Sequence, residues 1–204
     1  DMLSPGRIGM TAILPVRFTA MKWYGKGPLE TYPDRQCGGR MGVYSEDVRN
    51  QPFYLRPQEY GLHMESRSMR LTDPDRADFV RFEAACPMAM SAVPYSDLQL
   101  WNARHPLELP APEALYVHLD YAHRGLGNSS CGPDVLPTYR IDDRPCHFGF
   151  ALEAGLGERE DNPFGPIPEE IPAYHPWKAV GEQDRTPSYR DPSDPDQRSN
   201  AGMV

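Results

Sequence analysis

Apolar positions recur every second residue along much of the chain. Ile8, Met10, Ala12 and Leu14 alternate with Gly9, Thr11 and Ile13 until Pro15. Leu115, Val117, Leu119 and Tyr121 alternate with Tyr116, His118, Asp120 and Ala122. A period of two is that of a strand with one buried face. Phe18 to Tyr24 reads as a further strand. Ser66 to Leu71 and Phe79 to Ala85 read as a hairpin, because Thr72-Asp73-Pro74-Asp75 between them is turn chemistry. Met88 to Val93 is another apolar run, closed by Pro94. Tyr139 to Ile141, then Cys146, Phe148, Phe150 and Leu152, give the last strands, joined by a turn at Asp142-Asp143. The period changes only at Ser96 to Arg104. There Ser96 can cap a short helix that presents Leu98, Trp101 and Leu100 on one face. Cys37 to Gly42 is glycine-rich and reads as irregular, without the spacing of a phosphate loop. Pro52 to Gly61 reads as extended. Many short strands with one helix predict an all-β sandwich.

One stretch stands apart from this pattern. Trp23 to Arg35 reads WYGKGPLETYPDR. Gly25 and Gly27 permit positive φ, and Pro28 and Pro33 fix φ near −65°. A strand ending at Trp23-Tyr24 therefore runs into a rigid turn, whose exit Asp34 and Arg35 can clamp by a charge-assisted hydrogen bond. The plainer reading is a stiff connection between two strands.

The stretch resembles the WYGxGPxExYPDR signature of the C-terminal β-domain of glycoside hydrolase family 2 β-galactosidases. Three more segments agree in order. Arg7 to Met10 looks like the strand before that signature. Tyr54 to Gly61, YLRPQEYG, is similar to the family's PxENG segment. His118 to Pro133, HLDYAHRGLGNSSCGP, is similar to its LD…GxGGxxSWGP segment. The resemblance covers Arg7 to Leu152. It implies a two-sheet super-sandwich of the galactose mutarotase-like type. It also implies that the domain begins about 100 residues upstream of Arg7, so the chain is incomplete at its N-terminal side and should show unpaired edges and an open core face.

Composition divides the chain. Residues 1–154 carry the sandwich pattern. Residues 155–204 hold eight of the 23 prolines, and ten acidic against five basic residues, so −5 of the net −8 lies there. Low hydrophobicity with excess charge does not offset the entropy of ordering a backbone, which predicts a disordered or wrapping extension. The acidic balance argues against a nucleic-acid or anionic-membrane partner. No apolar run approaches the ~20 residues of a membrane span. Cys37, Cys86, Cys131 and Cys146 form no CxxC pair and read as reduced thiols of a cytoplasmic protein.

The candidate chemistry is sparse. Retaining glycosidases need two carboxyl groups about 5–5.5 Å apart. Glu30, Asp34, Glu59 and Asp120 are the candidates, and no pattern places two of them in one pocket; Glu59 reads more simply as a partner of Arg56. His105, His118, His123 and His147 can supply an acid, but His118 and His123 lack the spacing of a strand-borne metal pair. No catalytic residue, metal site or cofactor is therefore assigned. The resemblance implies the same, because both catalytic glutamates of the family lie in a separate TIM-barrel domain. It implies instead that the loop Gly125 to Pro133 helps close the sugar site. Asn128, Ser130 and Cys131 are then the substrate-binding candidates, with Cys131 standing where the family has a Trp that stacks on the sugar. The expected partners are a galactoside, bound through the complete enzyme, and the TIM-barrel domain or a second chain, assembled as an oligomer. A carbohydrate-binding module and a mutarotase-type epimerase are the alternatives.

Overall fold

A computed structural model describes residues 4–127, 132–142 and 145–157. Seven strands, β1 Arg7–Pro15, β2 Ala20–Gly27, β3 Arg40–Asp47, β4 His63–Thr72, β5 Phe79–Val93, β6 Ala114–His123 and β7 Phe150–Gly155, form one antiparallel sheet. The order is β1-β6-β5-β4-β2-β3. β7 lies beside the first half of β5, at Phe79 to Ala84, and β6 beside the second half, at Ala89 to Val93. The all-β expectation holds, with one short helix, α1 Asp97–Asn102.

The ladder between β4 and β5 is irregular in its middle. β5 runs through Pro87, and the β4–β5 register shifts on either side of Ser66, near Glu65 with its positive φ of 55°. The face of one half, with Met90, Leu115, Val117 and Leu119, packs in a single cluster with Met21, Trp23, Met69, Leu71 and Phe82 of the other. Fully burying such side chains contributes roughly 1.5–3 kcal/mol each. These residues form the main apolar core of the sheet. The expected edges are present, since β1 and β3 end the sheet and Met10 and Ile13 on β1 are exposed.

Several elements differ from the sequence reading. Phe79 to Val93 is one strand rather than two runs, because bends and bulges let a ladder pass a proline. Arg40 to Asp47 is a strand, although its first residues are glycine-rich. Pro137 to Tyr139 is a 3₁₀ turn, so no strand covers Tyr139 to Ile141. In α1 only Leu100 is buried, while Leu98 and Trp101 face solvent. The turn at Asp73 forms as expected, its carboxylate accepting from the Asp75 N–H. Cys37, Cys86 and Cys146 are free thiols. No helix among the described residues is long and apolar enough to cross a membrane. Most of the extension, 158–204, lies outside the described residues, as do Asn128, Ser130 and Cys131.

Candidate functional site

The four sequence motifs converge on one buried ion cluster. Arg7 comes from the start of β1, Tyr32 from the signature, Glu59 from the third motif, and His118, Asp120 and His123 from β6. Arg7 Nη2 bonds Glu59 Oε2 and lies 3.7 Å from Asp97 of α1, while its Nη1 lies 3.5 Å from Asp120 Oδ2. Tyr32 donates its hydroxyl to Glu59 Oε1 at 3.4 Å. His123 Nε2 lies 3.6 Å from Glu59, and its Nδ1 meets the Arg124 carbonyl at 2.6 Å. His118 Nδ1 meets Thr11 Oγ1 at 3.1 Å, and its Nε2 faces Asp97 at 3.5 Å. The sequence reading paired Glu59 with Arg56; instead Arg56 bonds the Leu55 carbonyl, and Glu59 reaches a guanidinium 52 residues away.

Local geometry explains why β1 and β6 bring these groups so close. Gly9 sits opposite Asp120, and a Cβ at Gly9 would come within 2.4 Å of the Asp120 carboxylate. Only glycine lets the strands approach there. Burial sets the protonation states. It pushes the Asp120 carboxyl up to about 7, against the pull of Arg7 and His123. For Glu59, burial acts in the same sense but is outweighed by His123 and the Arg7 charge, so its carboxyl lies below the ordinary value. Burial and the Arg7 charge lower His118 to about 4. Tyr32 is pushed well up by burial and by Glu59.

The signature holds the neighbouring loop. Asp34 does not clamp Arg35. Its two carboxylate oxygens accept the N–H groups of Leu126, at 3.0 Å, and Gly127, at 2.7 Å. Arg35 instead lies over the Tyr32 ring. Gly125 is packed so tightly that a Cβ would come within 2.9 Å of Asp34, Val135 and Tyr139. The root of the loop bearing Asn128, Ser130 and Cys131 is thereby fixed by a residue more than 90 positions earlier.

Of the four candidate carboxyl groups, the structure brings together Glu59 and Asp120, with the Arg7 guanidinium between them. Glu30 is held apart by the Tyr54 hydroxyl and the Gly61 N–H, and Asp34 by the loop. Of the histidines, His118 and His123 join the cluster. Sequence reasoning missed Thr11, Asp97 and the central place of Arg7; the ordered recurrence of the four motifs was the one signal for it. Chemically, the cluster offers an ionised carboxylate, a carboxyl that stays protonated toward neutrality, and two imidazoles.

The comparisons with known proteins agree with that convergence. The family model described as "Beta galactosidase small chain" matches residues 3–152. The chain is similar to the β-galactosidase of Staphylococcus xylosus, 31% identical over 75% of this chain and 16% of that protein. It is 39% identical to the β-galactosidase BgaC of Bifidobacterium adolescentis, over 75% of this chain and 15% of that protein. It is 35% identical to the β-galactosidase small subunit of Latilactobacillus sakei, over 71% of this chain and 49% of that subunit. It thus spans less than half the length of each of these relatives. With a family model covering residues 3–152 and all four motifs meeting at one buried cluster, the chain belongs to the β-galactosidase small-chain family.

Proposed function

We propose that the chain is the C-terminal part of a glycoside hydrolase family 2 β-galactosidase, which cleaves terminal β-D-galactosides. In this reading it helps close the sugar site through the loop Gly125 to Pro133 and is inactive alone. Residues 1–154 are the working domain and 155–204 an acidic, proline-rich extension. Its partner is a TIM-barrel domain or second chain bearing the catalytic glutamates, in an oligomeric cytoplasmic enzyme. The observation that carries the reading is the Asp34 carboxylate, which holds the backbone of Leu126 and Gly127 at the root of that loop. Backbone bonds to a half-buried carboxylate fix a loop without touching substrate. The test uses the enzyme assembled with its catalytic part. Asp34→Ala should raise KM for a chromogenic galactoside about tenfold, with kcat less affected. An unchanged KM in a folded variant overturns the reading.

A second reading is favoured by one contact. Glu59 and His123, 3.6 Å apart in a buried cluster, are the residue types a mutarotase-type epimerase needs. A base removes the O1 proton while an acid protonates O5, the C1–O5 bond opens, and the ring closes again on the other face of C1. Polarimetry of α-D-galactose decides the point. A rate above buffer that disappears in Glu59→Gln supports the epimerase. A bound sugar with no turnover supports a carbohydrate-binding module instead.

A further inference from the structure

A cavity of about 460 Å³ lies where β1, β3 and β5 end. Val16, Val48 and Pro94, the residues that follow those strands, line it. The rings of Phe53, Tyr60 and Tyr95 complete an apolar, aromatic wall. Phe53 stands edge-on to Tyr60 with centroids 5.3 Å apart, and lies 5.9 Å from Tyr95. Phe53 and Val16 are exposed, at 38% and 37%. Arg49, also exposed, is the one charged side chain among the described residues that line the cavity. None of the Arg7 cluster lines it. Its size and its apolar, aromatic lining are those of a ligand pocket.

The chain carries a segment that matches this lining. Residues 163–172 read PFGPIPEEIP. Pro163 and Pro166 have the PxxP spacing of segments that dock into aromatic-lined grooves as a polyproline helix. Such a helix has three residues per turn. Phe164 and Ile167 would therefore share one edge, and Pro163 and Pro166 the next. Glu169 and Glu170 follow, opposite in charge to Arg49. Asp47 already binds Arg49 through Nε and Nη2, so the acidic pair adds to the match at the rim and the apolar edges carry it.

The sheet also brings the segment within reach. Gly155, the last residue of β7, starts a row that crosses four ladders: Gly155 pairs with Phe79, Phe79 with Thr72, Thr72 with Ala20, and Ala20 with Asp47. At a strand spacing of about 4.8 Å that row is about 19 Å long. Asp47 leads directly into Val48 and Arg49 of the lining. Extended chain from Gly155 to Phe164 spans up to about 30 Å, which covers the distance. So short a tether also holds the segment at an effective concentration of order millimolar. We propose that Pro163 to Pro172 docks in this cavity as a polyproline helix, with Phe164 and Ile167 toward the Phe53, Tyr60 and Tyr95 rings. The inference is independent of the sugar-site reading above and stands or falls separately from it.

The photocrosslinker p-benzoylphenylalanine, placed at position 164 of the full chain, tests the docking. Irradiation should link it, within one chain, to Phe53, Tyr60, Tyr95 or their immediate neighbours, as mass spectrometry of the digest maps. A free peptide of residues 163–172 should compete the link away. Pro166→Ala with Pro168→Ala releases the preset backbone of the tethered segment, so the peptide concentration that halves the link should fall about tenfold. None of these changes touches a core residue, so loss of the fold does not confuse the result. A link between two chains would put a second copy in the cavity and overturn the proposal. A link that maps elsewhere, or no link, overturns it too. So does a link that free peptide does not displace, or an unchanged competition in the double variant.

Discussion

Asp120 and His118 stand two residues apart on one face of β6, and burial drives their titrations in opposite senses. For Asp120, burial lifts the carboxyl from 3.8 to about 7. Between those values the unfolded chain has lost a proton that the folded chain keeps. This group therefore makes stability fall as pH rises, by at most about 1.4 kcal/mol per pH unit. For His118, burial and the Arg7 charge lower the ring from 6.5 to about 4. Between those values the unfolded chain holds a proton that the folded chain lacks, so this group makes stability rise with pH at the same limiting slope. The two effects oppose each other between about pH 4 and 6.5. Asp120→Asn should leave the rising limb, and His118→Gln the falling one. Arg7, Glu59, Asp97 and His123 face the pair in both variants and are unchanged. Urea denaturation at pH 4.5, 5.5 and 6.5 measures the slopes, and parallel profiles for the two variants would refute the assignment. Glu59, Asp120, His118 and His123 were legible in the sequence as candidates, but Thr11, Asp97, the place of Arg7 and the pairing of all these groups were not. Local reading gave Asp34 to Arg35 and Glu59 to Arg56, because neighbours in sequence are the only contacts a linear pattern displays.

At the scale of elements, strict alternation identified β6, with its buried Leu115, Val117 and Leu119, and also β1, although no β1 residue is buried and Met10 is exposed. It split β5, because Pro87 looks like a terminator until the bulged ladder around it is seen. It passed over β3, because Gly42 and Gly39 suggest a loop. In fact Gly27 and Gly42 clear room for the Tyr44 ring, which a Cβ at either position would meet at 3.0 Å or closer. The helix was found through its cap rather than its face. Ser96 accepts from Gln99 N–H at 3.2 Å, and Gln99 Oε1 accepts from Ser96 N–H at 2.8 Å, a reciprocal capping box. α1 matters to the cluster because its first residue, Asp97, faces Arg7 and His118. Ser96→Ala should cost about 1 kcal/mol in urea unfolding. Ser96→Asp, which keeps an acceptor, should restore most of it. Equal losses in both variants would show that the cap does not stabilise this end of the helix.

At the scale of the whole molecule, one antiparallel sheet carries a contiguous apolar core, while its recognisable chemistry is turned inward. Glu59 and Asp120 both face Arg7, Glu30 is tied to Tyr54 and Gly61, and Asp34 to the backbone of the loop. A retaining glycosidase needs two carboxyl groups flanking an open bond, one nucleophile and one acid. The one pair brought close has a guanidinium across it, which holds the groups together but occupies the space a glycosidic oxygen would need. The isolated chain should therefore leave a chromogenic β-galactoside uncleaved. Turnover by highly purified chain that disappears in Glu59→Gln would contradict this. In the assembly proposed above, with a part that bears the catalytic glutamates, the same chain should support turnover, and there Cys131 becomes informative. If Cys131 faces the sugar, Cys131→Trp adds an aromatic face and should lower KM for a simple galactoside. If Cys131 packs in the interior, the larger ring should lower Tm by overpacking and leave KM unchanged. Measuring both quantities on one assembled variant separates a pocket wall from a core thiol.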